Sequence, residues 1–490
     1  MMHAASDGDP DALNRLGRER LALGDRALGI ALQRTVLRLA PGHRQAAADL
    51  VQAESGIADR DGAQAAFAAA LAREPLIAVH HANVGAFERF VGMEAVEELL
   101  DEAIRLDPAH AAAHAARGNL AARRVDRDAA MAAYACAVML DWDFAEAHLA
   151  LAQLYDTSGK TADGERHLAE ALRRRRRFIA RSPAAVRRVL ILKLPGGLLA
   201  NGLTDYCIDA NRTDVDVFYV TPETTALPDL GAYDAVFSAI GASASRAREI
   251  AHAAELVAAS GRRVRNDPRV LERTLRSVLP ASLAGVAGCS LPPTMRSLPP
   301  EIETQAAALG FPVVARPVDT HRGDGFERLD DVEAVRAYRE RVAAEAYYVA
   351  PFVDYRSPDG YYRKYRVAVV GGVPFPYHLA ISQHWLVHYW RTIDAMRDQA
   401  WMRAEEERFL REPQRVFPTW DTAFAGIAAA LELDMFCVDC AVGANGDVLV
   451  FECDPTAFVH CREDLDGPFS YKYAYVPRIF AALDALLDVP

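Results

Sequence analysis

Long apolar runs are missing. No window reaches the length of a membrane-spanning helix, and the opening MMHAASDGDPDALNRLG has no apolar core for a signal peptide. Neither secretion nor a membrane span is expected, and the expected location is the cytosol. Cysteine is scarce, seven in 490 residues, too few and too scattered for a disulfide framework. Cys437 and Cys440 match C-x-x-C, but a spacing of three puts them on opposite faces of a strand, which disfavours zinc. Excess positive charge is also missing. With 67 acidic against 55 basic residues the net charge is −12, so neither nucleic acid nor an anionic membrane is an expected partner. What is present, 51% hydrophobic and 25% charged residues, is the composition of a globular protein, long enough for about three domains.

Strand-like alternation is nearly absent from residues 1–180, which are rich in Ala, Leu and Arg and which repeat. Gly118 and Ala152 are 34 apart, as are Tyr134 and Leu168, Ala137 and Ala171, Pro108 and Trp142, and Pro41 and Pro75. That is the tetratricopeptide (TPR) period. Small residues recur where two helices approach closely, and large ones where a side chain plugs the groove. The spacing predicts an α-helical solenoid over 1–180 of roughly four to five repeats, each burying its face on a neighbour. Such a stack presents a surface to a peptide or protein partner, or serves support or a homodimer contact. The arginines 173–177 read as a solvated helix end, where cations suit the carbonyl pole, and Ser182-Pro183 as a break.

From Val186 the texture changes. VRRVLILKLPGG is a buried strand running into a glycine turn, and VDVFYVT (215–221) and YDAVFSAIG (233–241) are further strands with helices expected between them. This predicts a small parallel α/β layer over 186–305. Beyond it, GFPVVARPVDTHRGDGFERLDD (310–331) places a cation, Arg316, on a strand before a loop containing Arg322, Gly323 and Gly325, which suits a flap whose amides close over phosphates. YYVAPFVD (347–354) is an apolar strand leading into Asp354. In YYRKYRVAVVGGVPFPYHLAIS (361–382) Gly371-Gly372 is the turn, and Lys364 and Arg366 share a strand face. His384 and His388 are four apart, so on a helix they would share a face, and residues 391–415 read as an exposed, charged helix or lid.

The densest chemistry lies in FCVDCAVGANGDVLVFECDP (436–455). Asn445-Gly446 is a favoured two-residue hairpin turn. If those two residues form the loop, Asp439 lies opposite Glu452 and Asp454 opposite Cys437 on the same face, with Phe436, Val438, Cys440 and Phe451 on the other. Like charges directly opposed are unfavourable, of order 4 kcal/mol at ~4 Å and an effective dielectric of about 20. Either the register differs or a cation holds them, and oxygen-only ligands on a hairpin suit Mg²⁺ carried in with a nucleotide's phosphates.

Asp, then Glu-x-Asp after a short hairpin near the chain's end, resembles the magnesium end of an ATP-grasp fold; most members have Asn where this chain has Asp454. The likeness extends over about 186–490. It implies an α/β pre-ATP-grasp subdomain (186–305) followed by an α+β ATP-grasp domain (306–490), with ATP and Mg²⁺ as cofactors. NDPRVLERTLRSVL (266–279) and Leu291-Pro292-Pro293-Thr294 look like the family's helix and its entry to the nucleotide domain, where Arg273 or Arg276 stands in place of a lysine. The resemblance implies metal ligation by Asp439, Glu452 and Asp454, and phosphate contacts from Arg316, Arg322, Gly323 and Gly325. It also implies an adenine hinge at Ala350 and Phe352, ribose contact by Asp354, and Arg366 with Lys364 at the transferred phosphoryl group. His384 and His460, with Cys461 beside the latter, are substrate candidates. The activity implied is ATP-dependent carboxylate–amine ligation through an acyl-phosphate, on a small-molecule amine or acid and a peptide or protein held by the repeats. A kinase acting on a small alcohol and a non-catalytic nucleotide-sensing adaptor are the alternatives.

Overall fold

The computed structural model describes residues 10–22, 26–40, 43–55, 60–73, 93–182, 184–197, 200–202, 207–209, 212–320, 323–457, 459–460 and 467–488. In chain order the helices are α1 (Pro10–Ala22), α2 (Arg26–Leu39), α3 (Arg44–Ser55), α4 (Arg60–Arg73), α5 (Met93–Leu106), α6 (Ala111–Arg123), α7 (Arg127–Leu140), α8 (Ala145–Thr157), α9 (Thr161–Arg174), α10 (Ala247–Ser260), α11 (Leu279–Ser282), α12 (Ile302–Leu309), α13 (Val332–Arg341), α14 (Tyr389–Asp398), α15 (Ala400–Arg411), α16 (Trp420–Leu431) and α17 (Pro477–Leu487). The strands are β1 (Arg177–Ala180), β2 (Arg187–Lys193), β3 (Thr213–Tyr219), β4 (Ala235–Ser238), β5 (Cys289–Ser290), β6 (Met295–Ser297), β7 (Val313–Pro317), β8 (Glu327–Leu329), β9 (Tyr347–Pro351), β10 (Tyr362–Val370), β11 (Val373–Ser382), β12 (Met435–Val442) and β13 (Val448–Asp454). No helix among the described residues is long and apolar enough to cross a membrane.

Two compact units divide the chain. The first gathers Met1–Val186, Pro195–Leu198 and Asp209–Tyr219, the second Arg187–Leu194, Leu199–Ile208 and Val220–Pro490. In the first, α8 and α9 begin 34 residues after α6 and α7 (145 − 111 and 161 − 127). Asp126 caps α7 by accepting the Ala129 N–H at 3.0 Å, satisfying one of the helix's orphan donors. Gly118 is required where it stands, because a Cβ there would meet the Tyr134 ring at 2.7 Å, and the Tyr134 hydroxyl donates to Asn119 Oδ1 at 2.6 Å. The arginine run after α9 is paired rather than simply solvated: Arg174 bonds Asp143 at 2.8 Å, Arg175 bonds Glu146, and Arg177 on β1 bonds the buried Asp216 on β3 at 2.8 Å. β1 and β3 pair antiparallel. Gly197 lies against Asp156, whose carboxylate would meet a Cβ at 2.6 Å, so this glycine turn faces an acid.

In the second unit β2 and β4 pair in parallel. A 3-10 turn at Leu230–Ala232, not a full helix, precedes β4. The stretch read as a helix at 266–279 contains a 3-10 turn, Pro268–Thr274, followed by the single turn of α11. Asn266, at φ +50, tolerates the left-handed region and clamps the start of β12, donating to the Met435 carbonyl at 2.6 Å and accepting its N–H at 2.8 Å. A five-stranded sheet runs β11-β10-β12-β13-β5, and a four-stranded one β6-β9-β7-β8. β5 and β6, both before residue 306, are thus strands of the two sheets whose remaining strands all follow it. The segment read as an exposed lid forms α14 and α15, and α15 buries Met402, Glu406, Phe409 and Leu410.

Candidate active site

Two hairpins of the five-stranded sheet build the site. β10 and β11 turn at Gly371-Gly372, both with positive φ (57° and 80°), as a two-residue loop with its strands' twist requires. β12 and β13 do not turn on Asn445-Gly446 alone. Only Gly446 takes a positive φ, 75°, so the turn expected there does not form; the loop spans 443–447 and is closed by the Gly443 N–H to the Asp447 carbonyl at 2.9 Å. That longer loop shifts the register by one. A bulge between Asp439 and Cys440 then shifts it back, so Asp439 still faces Glu452 and Cys437 still faces Asp454. The extra residue is Phe451. It packs on Tyr355 (centroids 4.9 Å), which packs on Tyr362 (5.0 Å), a residue in alternation with Lys364 and Arg366. Phe451 therefore sits on the acid side, not among the apolar residues of the other face.

The opposed acids are held by the chain's own cations. Asp439, 1% exposed, accepts from Arg366 Nε at 2.6 Å and Nη2 at 2.9 Å and from Lys364 Nζ at 2.7 Å. Burial pushes its carboxyl up, and Arg366 and Lys364 outweigh that, holding it well below the usual carboxylate range. Burial likewise works against the Arg366 charge, and Asp439 overrides it, raising the guanidinium well above its ordinary value. Glu452 pairs with Arg276. Asp454 accepts from the N–H and hydroxyl of Thr456, both at 2.7 Å. Of the two arginines offered by the 266–279 stretch, Arg276 is the one at the acids, while Arg273 bonds the Ala430 carbonyl and pairs with Glu432. Among the described residues no group of three His, Cys, Asp or Glu side chains is set to hold a metal ion.

On the other sheet, Arg316 faces Tyr348 across β7 and β9. It bonds the Thr320 carbonyl and hydroxyl and lies 5.5 Å from the Phe326 ring centroid. Burial and then Arg276 draw it down to about 10, the mark of a guanidinium short of counter-charge. Gly323 and Gly325 take positive φ (78° and 64°); a Cβ on Gly325 would meet Pro317 at 2.8 Å, and its carbonyl accepts the Tyr338 hydroxyl at 2.6 Å, so that end of the loop is tied down. Arg322 and Cys461 lie outside the described residues.

Ala350 pairs with Val314, the Phe352 N–H is given to the Pro312 carbonyl at 2.9 Å, and the Phe352 ring lies 5.6 Å from Trp385 and beneath Arg328 at 4.5 Å. Asp354 is tied to Arg356 at 2.8 Å. His384 and His388 are not on a helix: His384 lies in the turn after β11, accepting the Leu386 N–H at 3.1 Å, and His388 is the N-cap position of α14. His460 donates its N–H to the Tyr377 hydroxyl at 2.9 Å.

Sequence reasoning missed His378, Lys472 and Glu406. Counting back from Gly371-Gly372 would set Tyr377 opposite Arg366; a bulge between Arg366 and Val367 sets His378 there instead. Lys472 pairs with Glu406 at 3.3 Å, both side chains buried, and Lys472 lies 4.7 Å from the Tyr389 ring centroid. No pattern along the chain joins residues 378, 406 and 472.

No protein-family model and no curated protein matches the chain. Among solved structures the chain is similar to a RimK domain protein ATP-grasp from Sphaerobacter thermophilus (18% identity, 61% of this chain and 99% of that one, TM-score 0.35). It is similar to a D-alanine–D-alanine ligase from Bacillus anthracis (11%, 62% and 97%, TM-score 0.38). It is similar also to the ATP-grasp ligase PsnB, complexed with precursor peptide PsnA2 and AMPPNP (15%, 63% and 99%, TM-score 0.36).

Proposed function

We propose that the chain is an ATP-dependent carboxylate–amine ligase of ATP-grasp type. The observation that carries this reading is the face shared by Lys364, Arg366, Asp439, Glu452 and Asp454, with Arg276 joining it: five oxygen-rich or cationic positions fixed by two bulged hairpins, where an apolar face would be cheaper to build. Such a face stabilises a transferring phosphoryl group through preorganised charge. Arg366 and Lys364 hold the developing charge on the γ-phosphate and on the acyl-phosphate, and Arg316 and Arg276 hold the phosphates behind it. The donor set fits a hard cation, because Glu452 and Asp454 lie two apart on β13 and offer only oxygen, while Asp439 is engaged on both oxygens and anchors the two cations. Mg²⁺ entering with ATP would be held by Glu452 and Asp454 and would neutralise phosphate charge. Phe352, Trp385 and Phe326 form an aromatic wall suited to adenine, and Asp354 is the ribose candidate.

The substrate carboxylate takes the γ-phosphoryl group of ATP, and an amine then displaces phosphate. The acceptor in this reading is a peptide or protein docked on residues 1–180, which raises its local concentration at the site. Incubation with ATP, Mg²⁺ and amino acids or peptides is expected to release ADP and phosphate with a new amide in the product mass. A phosphorylated product would make the chain a kinase, and absence of any turnover would make it a nucleotide-binding adaptor. Docking is tested on the full chain with benzophenone-bearing acceptor peptides; cross-links confined to 186–490 would rule it out. Truncation before Val186 is a poor test, because Asp209–Tyr219 belongs with the helices and β3 would lose β1.

A further inference from the structure

His378 is 5% exposed and its Nδ1 is buried with no hydrogen-bond partner. Burying a polar atom without a partner costs the full desolvation of that atom, so such a group calls for an explanation. Its neighbours are all satisfied. The ring lies against Tyr389 (centroids 4.6 Å), whose hydroxyl accepts from Lys472 Nζ. Lys472 pairs with Glu406, and Glu406 also accepts the N–H of Leu379 at 3.1 Å and the hydroxyl of Tyr471. On the sheet, His378 stands directly opposite Arg366, the cation assigned to the phosphoryl group. One buried polar atom is thus left without a partner, on the residue directly across the sheet from the cation assigned to the phosphoryl group.

Resting on the ligase reading, we propose that His378 receives the acceptor amine: its open nitrogen accepts an N–H of the attacking primary amine and takes the proton that nitrogen releases. In that step the amine nitrogen forms a bond to the acyl carbon, the bond from that carbon to the phosphate oxygen breaks, and phosphate leaves with the electron pair toward Arg366 and Lys364. The proton passes from nitrogen to His378 and on to the departing phosphate. The groups around the imidazole are Arg366 and Lys364 from β10, Lys472 from the 470–474 turn, Asp439 from β12, the Tyr377 ring of its own strand (centroids 5.2 Å) and the Tyr389 ring from α14. Burial, then Arg366 and Lys472, push His378 well below the ordinary histidine range, so it stands neutral, with a lone pair to offer, at neutral pH. The same cations repel an alkylammonium and admit the neutral amine.

The experiment separates the two half-reactions. Parent protein and His378→Gln are incubated with ATP, Mg²⁺, each proteinogenic amino acid and a random-sequence peptide library, with hydroxylamine present to trap acyl-phosphate as a hydroxamate, or absent so that amide forms. Hydroxylamine is uncharged at neutral pH and needs no base. The variant is expected to keep hydroxamate formation near the parent rate and to lose about 10²-fold or more in amide formation, the size of a general-base contribution. The deficit is expected to shrink as pH rises, because hydroxide replaces the missing base. Retained hydroxamate formation also shows that the variant is folded; if it is not, His378→Asn takes its place. Equal loss of both products, or parent-like amide formation, overturns the assignment to His378 while leaving the ligase reading in place. Absence of both products from the parent overturns the ligase reading, and the role of His378 with it.

Discussion

The helical hairpins of the first unit and the sheet face of the second use the same charged residues to different ends. On α5 and α9 the pairs lie outward: Arg105 and Glu102 meet at 2.6 Å with side chains 66% and 43% exposed, and Arg173 and Glu170 meet at the same distance. Pairs of this kind contribute about 0–1 kcal/mol each, and the helices are held by small and aromatic residues such as Ala130, Tyr134, Ala137 and Leu151. On the sheet face Asp439 is buried with Lys364 and Arg366, and Glu406 with Lys472. Removing such groups from water costs several kcal/mol per ion, and apolar residues of similar volume would serve stability as well. The first set is a solvated surface on which stability hardly depends. In the proposed reading the second serves a ligand.

The largest test of that contrast is Asp439→Ala, which leaves Lys364 and Arg366 buried without their shared acid. A loss of about 3–5 kcal/mol is expected in denaturant titration followed by tryptophan fluorescence; a loss below about 1 kcal/mol would erase the distinction. Next is Glu452→Gln. Viewed only as one of two opposed acids, Glu452 invites removal as a relief of repulsion, but its partner is Arg276, so the variant should lose roughly 1.5–3 kcal/mol as well as ATP turnover. A stabilised variant would show that Arg276 does not balance it. Arg316→Ala should weaken nucleotide binding by roughly 1.5–3 kcal/mol, and parent-like affinity by calorimetry rules out the phosphate contact.

Smaller effects sharpen the first unit's side. His148 and His167 face each other at 2.9 Å between ring nitrogens, with the other His148 nitrogen at 2.9 Å from the Trp142 carbonyl. Burial, then His148 and Arg166, lower His167 to about 4. The unfolded chain takes up a proton near the ordinary histidine value while the folded one does not, so stability is full above about pH 6.5, falls between there and about pH 4, and levels off below. After solvent screening the loss should be about 1–2 kcal/mol, visible as a drop in helical melting temperature that His167→Phe removes. Asp163→Ala, breaking an exposed pair with Arg166, should change stability by less than about 1 kcal/mol.

Much of the frame was legible along the chain. Helices separated by 34 residues, a first apolar strand after Val186, the Gly371-Gly372 turn and the pairing of Asp439 with Glu452 each follow from local periodicity or turn chemistry. That last pairing was reached by counting from the wrong loop. Two one-residue departures, a five-residue loop and a bulge at Phe451, cancel, and periodicity does not register a pair of errors that cancel. The matching bulge at Tyr377 had no such compensation and hid His378.

What the sequence determined by itself is therefore whatever depends on residues a few positions apart: which segments are helical, which strands are buried on both faces, where carboxylates and cations alternate on one face. Tertiary structure alone decided which opposite charges meet. Arg276 reaches Glu452 across 176 residues, Lys364 reaches Asp439 across 75, and Lys472 reaches Glu406 across 66 (472 − 406). The physical reason is that a long side chain in a buried site is selected by the free energy of leaving no charge unpaired, and that condition is set by whichever element packs nearby, whatever its distance along the chain.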